Sequence, residues 1–132
     1  MKRVFLPLLF VGWAIAASAS AARAELVLAM FERAGCTYCY MWHQEIGPIY
    51  PKTEEGRIAP LRRIDLQGKL PDDVTLRSKP QYTPTFVLLR DGVEVDRLEG
   101  YPGEDFFWGL IGNMLRRQPE WIEATKSGGT GG

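Results

Sequence analysis

Leu26-Val27-Leu28-Ala29-Met30-Phe31-Glu32-Arg33-Ala34-Gly35-Cys36-Thr37-Tyr38-Cys39 joins an apolar run to a Cys-x-x-Cys pair through a short polar turn. Successive apolar residues bounded by charge are the pattern of a central strand buried on both faces. From Thr37 the pattern turns helical: Met41, Trp42, Ile46 and Ile49 can share one broad apolar face. Gly47-Pro48 should kink or end that helix, because proline lacks the amide donor and clashes with the preceding turn. The pair therefore sits at a strand-to-helix junction, with Cys36 near the helix N-terminus. Unpaired amides and the helix dipole there stabilise a thiolate, lowering its pKa from ~8.5 toward ~3.5–7.5 in such motifs. Cys39, one turn on, is close enough to resolve a mixed disulfide formed on Cys36.

Downstream, a polar connection containing Glu54-Glu55-Gly56 leads to a second strand, Leu61-Arg62-Arg63-Ile64-Asp65-Leu66. Residues 70–80 read as a short helical turn plus loop, started by Pro71-Asp72-Asp73. Tyr82-Thr83-Pro84 introduces the β-favouring run Thr85-Phe86-Val87-Leu88-Leu89-Arg90. Asp91-Gly92 is a hairpin signal, and Val93 to Leu98 alternates as the returning strand. Pro102-Gly103-Glu104-Asp105 opens a final helix with acids at the positive end of its dipole. Phe106/Leu110/Met114 and Phe107/Ile111/Leu115 give that helix two adjoining apolar ridges, and Arg116, Arg117 and Pro119 are stop signals. Residues 121–132, ending Ser127-Gly128-Gly129-Thr130-Gly131-Gly132, are expected to form a flexible tail. The order strand, helix, strand, connection, hairpin, helix describes an α/β domain. Its first two strands should be parallel and its hairpin antiparallel, giving a four-stranded mixed sheet flanked by helices.

Composition narrows the function. The 132 residues carry 16 basic and 16 acidic groups, so no basic footprint points to nucleic acid. Residues 1–24 read as a cleavable secretory signal: Lys2 and Arg3, a mostly apolar stretch from Val4 to Ala17, and an Ala22-Arg23-Ala24 cleavage site. An uncleaved N-terminal anchor is the other reading of the same segment. Cleavage removes three basic groups and no acid, leaving a domain over residues 25–120 and its tail with a net charge of −3. Export places the two cysteines where disulfides persist.

The loop between Cys36 and Cys39 is too small for their bond to constrain the unfolded chain much, so a structural staple explains it poorly. Haem attachment requires histidine after the second cysteine, where Tyr40 stands, and a zinc site lacks its fourth soft ligand. A redox dithiol is the favoured reading. Copper held by Cys36, Cys39 and His43 is the alternative, from the class of metal-handling or redox-sensing modules. Taken alone, His43 reads as a solvent-facing or partly packed helix residue rather than a ligand or base. Trp42 is assigned to the core rather than the rim of a partner groove, and Trp108 to the packing of the final helix.

Gly35-Cys36-Thr37-Tyr38-Cys39 on a strand–helix turn, Tyr82-Thr83-Pro84-Thr85 before a hairpin and Gly100 after it resemble the thioredoxin superfamily over about Leu26 to Gln118. Trp42-His43…Gly47-Pro48-Ile49-Tyr50-Pro51 and Glu99-Gly100-Tyr101-Pro102-Gly103-Glu104-Asp105-Phe106-Phe107-Trp108 are similar to SoxS-type periplasmic thioredoxins, which accompany bacterial sulfur-oxidation systems. The resemblance implies a compact thioredoxin fold with a cis Thr83–Pro84 peptide beside the cysteines. It also implies that Thr83 presents backbone groups to an extended partner segment, with Pro84, Thr37 and Tyr38 completing the binding residues. The chain departs from the family at three points. Met30 occupies the place of a buried aspartate six residues before the first cysteine, Gly35 replaces a tryptophan, and Thr37-Tyr38 replaces Gly-Pro. The expected activity is thiol–disulfide exchange without cofactor or metal, by a monomer acting on periplasmic protein disulfides or dithiols. A membrane electron donor would supply the reducing equivalents.

Overall fold

The computed structural model describes residues 23–128. The apolar run forms strand β1 (Leu26–Glu32), and the chain then turns into helix α1 (Thr37–Glu45). Helix α1 ends just before Gly47-Pro48, and a 3₁₀ turn (Tyr50–Lys52) and a short helix α2 (Glu54–Ile58) follow. Sequence reading gave this stretch only as a polar connection. Its helix is capped by Thr53, whose hydroxyl accepts from the Gly56 amide, with Glu54 and Glu55 in the first turn. Strands β2 (Leu61–Asp65), β3 (Thr85–Arg90) and β4 (Val93–Glu99) and helix α3 (Glu104–Arg116) complete the expected order.

The sheet runs β2-β1-β3-β4, with β1 and β2 parallel and the other pairs antiparallel. Met30 pairs with Arg63 on one side and Phe86 on the other, so β1 is central and nearly all of it is buried. Its alternate residues serve two cores. Leu26, Leu28 and Met30 join Phe86 and Leu88 against α1 and α3, where Trp42, Tyr50 and Phe107 are the bulkiest members. Ala29 and Phe31 join Ile64, Val74, Val87 and Leu89 on the opposite face.

No helix covers that second face among the described residues. Residues 70–80, expected to form a short helical turn plus loop, instead run as turns with a single bridge from Thr75 to Val93. The Val74 amide closes one turn on the Pro71 carbonyl, but it does not continue as a helix because the next residues bond to β4 and its hairpin. Thr75 pairs with Gly92 and Glu94, and the buried Glu94 carboxylate accepts from the Arg77 amide at 2.8 Å and from Arg97. Gly92 supports this approach, with φ +80 and an Asp73 carbonyl 2.1 Å from where a Cβ would stand.

Two further expectations are corrected. Met41 and Ile49 are exposed while Trp42 and Ile46 are buried, and Phe106 and Leu110 are exposed while Phe107 and Ile111 are buried. Each helix thus lays a narrower apolar stripe on the sheet than its composition allows. The expected tail from residue 121 is a helix, α4 (Pro119–Gly128). Proline is suited to its first position, Arg90 of β3 bonds both Gln118 and Glu120, and Trp121 packs against the larger core. Residues 1–22, which hold all but the last two positions of the expected signal segment, lie outside the described residues, as do residues 129–132.

Candidate active site

The strand-to-helix turn sets the two sulfurs in unlike surroundings. Gly35 takes φ +74, which reverses the chain after β1 without a Cβ penalty. Cys36 is then the N-cap of α1, and its Sγ accepts from the Cys39 amide at 3.1 Å. This is the helix-terminus position at which a sulfur anion is stabilised. Cys36 and Cys39 are joined by a disulfide, with Cα atoms 5.2 Å apart. Cys36 is part-exposed, whereas Cys39 is buried against Trp42 and the core, so Cys36 is the sulfur a partner can reach.

The Thr83–Pro84 peptide is cis, and Pro84 is buried. Its position is tied to two neighbours: the Gly100 amide donates to the Pro84 carbonyl at 2.7 Å, and the Thr85 hydroxyl donates to the Tyr82 carbonyl at 2.7 Å. Thr83 Oγ1 is buried and bonds no protein group. Beside Thr83 lies an open groove bordered by Tyr38, Met41, Tyr82, Gly100 and Tyr101. Tyr38 and Tyr82 are more than half exposed. The Tyr101 hydroxyl donates to Glu45, which fastens the far wall of the groove to α1. Burial first, then the Glu45 bond and its charge, push the Tyr101 phenol well above its ordinary pKa.

Around the disulfide itself the surroundings are ionic. A second cleft is lined by both cysteines, Glu32, Arg33, Tyr40 and His43. His43 Nε2 lies 2.8 Å from Glu32 Oε2, and the same carboxylate accepts from Arg63. Burial alone would raise the Glu32 pKa, but the Arg63 and His43 bonds and charges outweigh it and hold the carboxyl below its ordinary value. His43 thus faces Glu32, and among the described residues no three His, Cys, Asp or Glu side chains are placed to hold a metal ion. With the two sulfurs joined to each other, the described residues offer no ligand set for the copper alternative in this state.

Of the expected binding residues, Thr83 and Tyr38 border one groove, and Pro84, next to Thr83, is buried and outside its lining. Thr37 lines the ionic cleft instead. Sequence reading did not find the groove walls Met41, Tyr82 and Tyr101 or the Arg63 contact. Exposed aromatics flanking Cys-x-x-Cys and Thr-Pro were the available signal for the first. Nothing in linear sequence pairs Arg63 with Glu32, because that contact is created by the parallel register.

Comparison with known proteins agrees with this geometry. The family profile described as the thioredoxin-like domain matches residues 14–115. The reduced form of the periplasmic thioredoxin SoxS from Paracoccus pantotrophus is 52% identical, with a TM-score of 0.66, covering 67% of this chain and 94% of that one. Thioredoxin f2 of Chlamydomonas reinhardtii, 16% identical with a TM-score of 0.51, covers 74% of this chain and 86% of its own and shares the fold. No curated protein matched in sequence. The chain belongs to the thioredoxin superfamily, as a thiol–disulfide oxidoreductase built on Cys36 and Cys39. Within that superfamily its likeness is to the SoxS type, at an identity that extends over nearly the whole of the Paracoccus protein.

Proposed function

We propose that the protein is exported and reduces disulfides of selected periplasmic proteins as a monomer, with residues 1–24 as its secretory signal. The observation that carries this reading is the asymmetry of the sulfurs: Cys36 is reachable and caps a helix, and Cys39 is buried behind it. The Cys36 thiolate attacks one sulfur of a partner disulfide, and the electron pair of the broken bond leaves with the other partner sulfur, which takes up a proton. Cys39 loses its proton, attacks Cys36 and releases the second partner thiolate, so the partner gains two electrons and the enzyme becomes the disulfide form. A membrane donor then returns two electrons to the Cys36–Cys39 bond.

Thr83 contributes backbone groups to an extended partner segment, with Pro84 and Tyr38 shaping its seat and Thr37 on the cleft side of the cysteines. Reduction rather than oxidation is read from the likeness to SoxS, a periplasmic thioredoxin.

Expressing the full chain with Cys39→Ser tests the reading. It should accumulate a reductant-sensitive covalent complex with an exported protein, lost when Cys36 is also replaced. No such adduct in the exported compartment, or one that survives Cys36→Ser, would refute it.

A further inference from the structure

The resolving step has to remove a proton from a buried thiol, and the residue six places before Cys36 is Met30, fully buried in apolar surroundings. The nearest ionisable machinery is on the cleft side. His43 stands four residues after Cys39 on α1, on the same face of the helix one turn along. Both residues line the cleft that also holds Cys36, Glu32, Arg33 and Tyr40. The imidazole is held from two directions: edge-on to Trp42 at 5.2 Å between ring centroids, and through Nε2 at 2.8 Å from Glu32. Arg63 of β2 holds the carboxylate in turn, reaching both of its oxygens. Against an ionised carboxylate the proton of a neutral imidazole belongs on Nε2, leaving the Nδ1 lone pair free as an acceptor. A carboxylate that fixes the tautomer and steadies the imidazolium formed later is the arrangement by which a histidine works as a general base.

We propose that His43 is the base of the resolving step, taking the Cys39 proton on Nδ1 through water in the shared cleft, with Glu32 as the positioning residue. The proposal rests on the reading that Cys36 attacks and Cys39 resolves. In that step the Cys39 S–H bond breaks and its proton passes to Nδ1. The electron pair left on Cys39 sulfur forms the bond to Cys36, and the pair of the Cys36–partner bond departs with the partner thiolate. When the enzyme disulfide is later reduced, His43 returns the proton to Cys39. The charged and titratable groups facing the imidazole are Glu32 on β1, Arg63 behind it on β2, Arg33 in the turn, Tyr40 on α1 and the two sulfurs.

The reduced full-length protein mixed with excess 5,5′-dithiobis(2-nitrobenzoate) separates the two steps. Attack by Cys36 releases one coloured thiolate in a concentration-dependent phase, and resolution by Cys39 releases a second in a unimolecular phase. In the unaltered protein the rate of the second phase should rise with pH through a limb that requires His43. His43→Gln and His43→Ala should slow that phase about 100-fold at pH 7 and erase the limb, and added imidazole should restore part of the rate in His43→Ala. Glu32→Gln, which keeps size and hydrogen-bonding capacity, should slow it about tenfold. A second phase of unchanged rate and pH profile in His43→Gln overturns the proposal. A second phase that persists in Cys39→Ser would instead overturn the two-sulfur reading beneath it.

Discussion

The two flanks of the Cys36–Cys39 bond are built from different materials. The groove flank is aromatic and open: Tyr38, Met41 and Tyr82 stand exposed around Thr83, and its far wall is tied down by the Tyr101–Glu45 bond. The cleft flank is ionic, with Arg63, Glu32 and His43 linked in series beside both sulfurs. An exposed aromatic surface supplies contact area for a protein segment, and the carboxylate that lines this groove, Glu99, shares it with neither sulfur. A chain of charged hydrogen bonds supplies a proton acceptor and little apolar contact area. The difference indicates that recognition and proton handling are separated in space: the two linings share no residue, and both sulfurs belong to the ionic one.

Beneath the surface Trp42 links the two, touching His43 directly and reaching the groove wall Tyr101 through Phe107. Its indole is fully buried and touches His43 on one side and Phe86 and Phe107 on the other. Trp42→Ala should therefore damage both flanks, lowering unfolding free energy by about 3–5 kcal/mol in a denaturant titration. A loss below 1 kcal/mol would mean that the flanks stand independently. On the groove side, combined Tyr38→Ala and Tyr82→Ala should raise KM for a protein disulfide about tenfold, equivalent to about 1.4 kcal/mol. The loss on a small disulfide should be less, with the pH profile of resolution unmoved. A changed pH profile would break the division of labour.

The smallest effects are pH dependences of stability, opposite on the two sides. The Glu32 carboxyl lies below its ordinary pKa in the folded protein, where the Arg63 and His43 bonds outweigh the upward push of burial. The unfolded chain therefore takes up its proton first on acidification. The stabilisation is complete above about pH 5 and is lost as pH falls through the folded value. Glu32→Gln should flatten this acid limb by about 1 kcal/mol. The Tyr101 phenol lies above its ordinary pKa through burial and the Glu45 contact, so its contribution is complete below about pH 10 and is lost as pH rises toward the folded value. Tyr101→Phe should flatten the alkaline limb by a similar amount and leave the acid limb alone. Chemical denaturation at a series of pH values reads both.

Local pattern made much of this legible. The run from Leu26, the Cys-x-x-Cys spacing and the Asp91-Gly92 turn each specify structure through neighbours in the chain, and strand order follows from them with few alternatives. The segment at residues 70–80 was misread because its partners are Glu94 and β4, far away in sequence. The helix at residues 119–128 was misread as a tail because its Gly-rich end dominated, while Arg90, which anchors it, lies 30 residues earlier than Glu120. In the site, the sulfurs and Thr83–Pro84 were legible as motifs. Glu32–His43–Arg63 was not, since three separate elements meet there only once the parallel pairing of β1 and β2 is formed.

The start of β1 has a consequence for orientation. The Glu25 amide donates to Asp91 Oδ1, and the Asp91 amide donates to the Glu25 carbonyl, which pins the chain to the β3–β4 hairpin at the opposite pole from Cys36. Seven strand residues separate those poles by about 20 Å. The chain entering β1 therefore approaches from the far pole. If leashed there, the domain presents its sulfurs away from the point of attachment, toward the solvent in which folded partners diffuse.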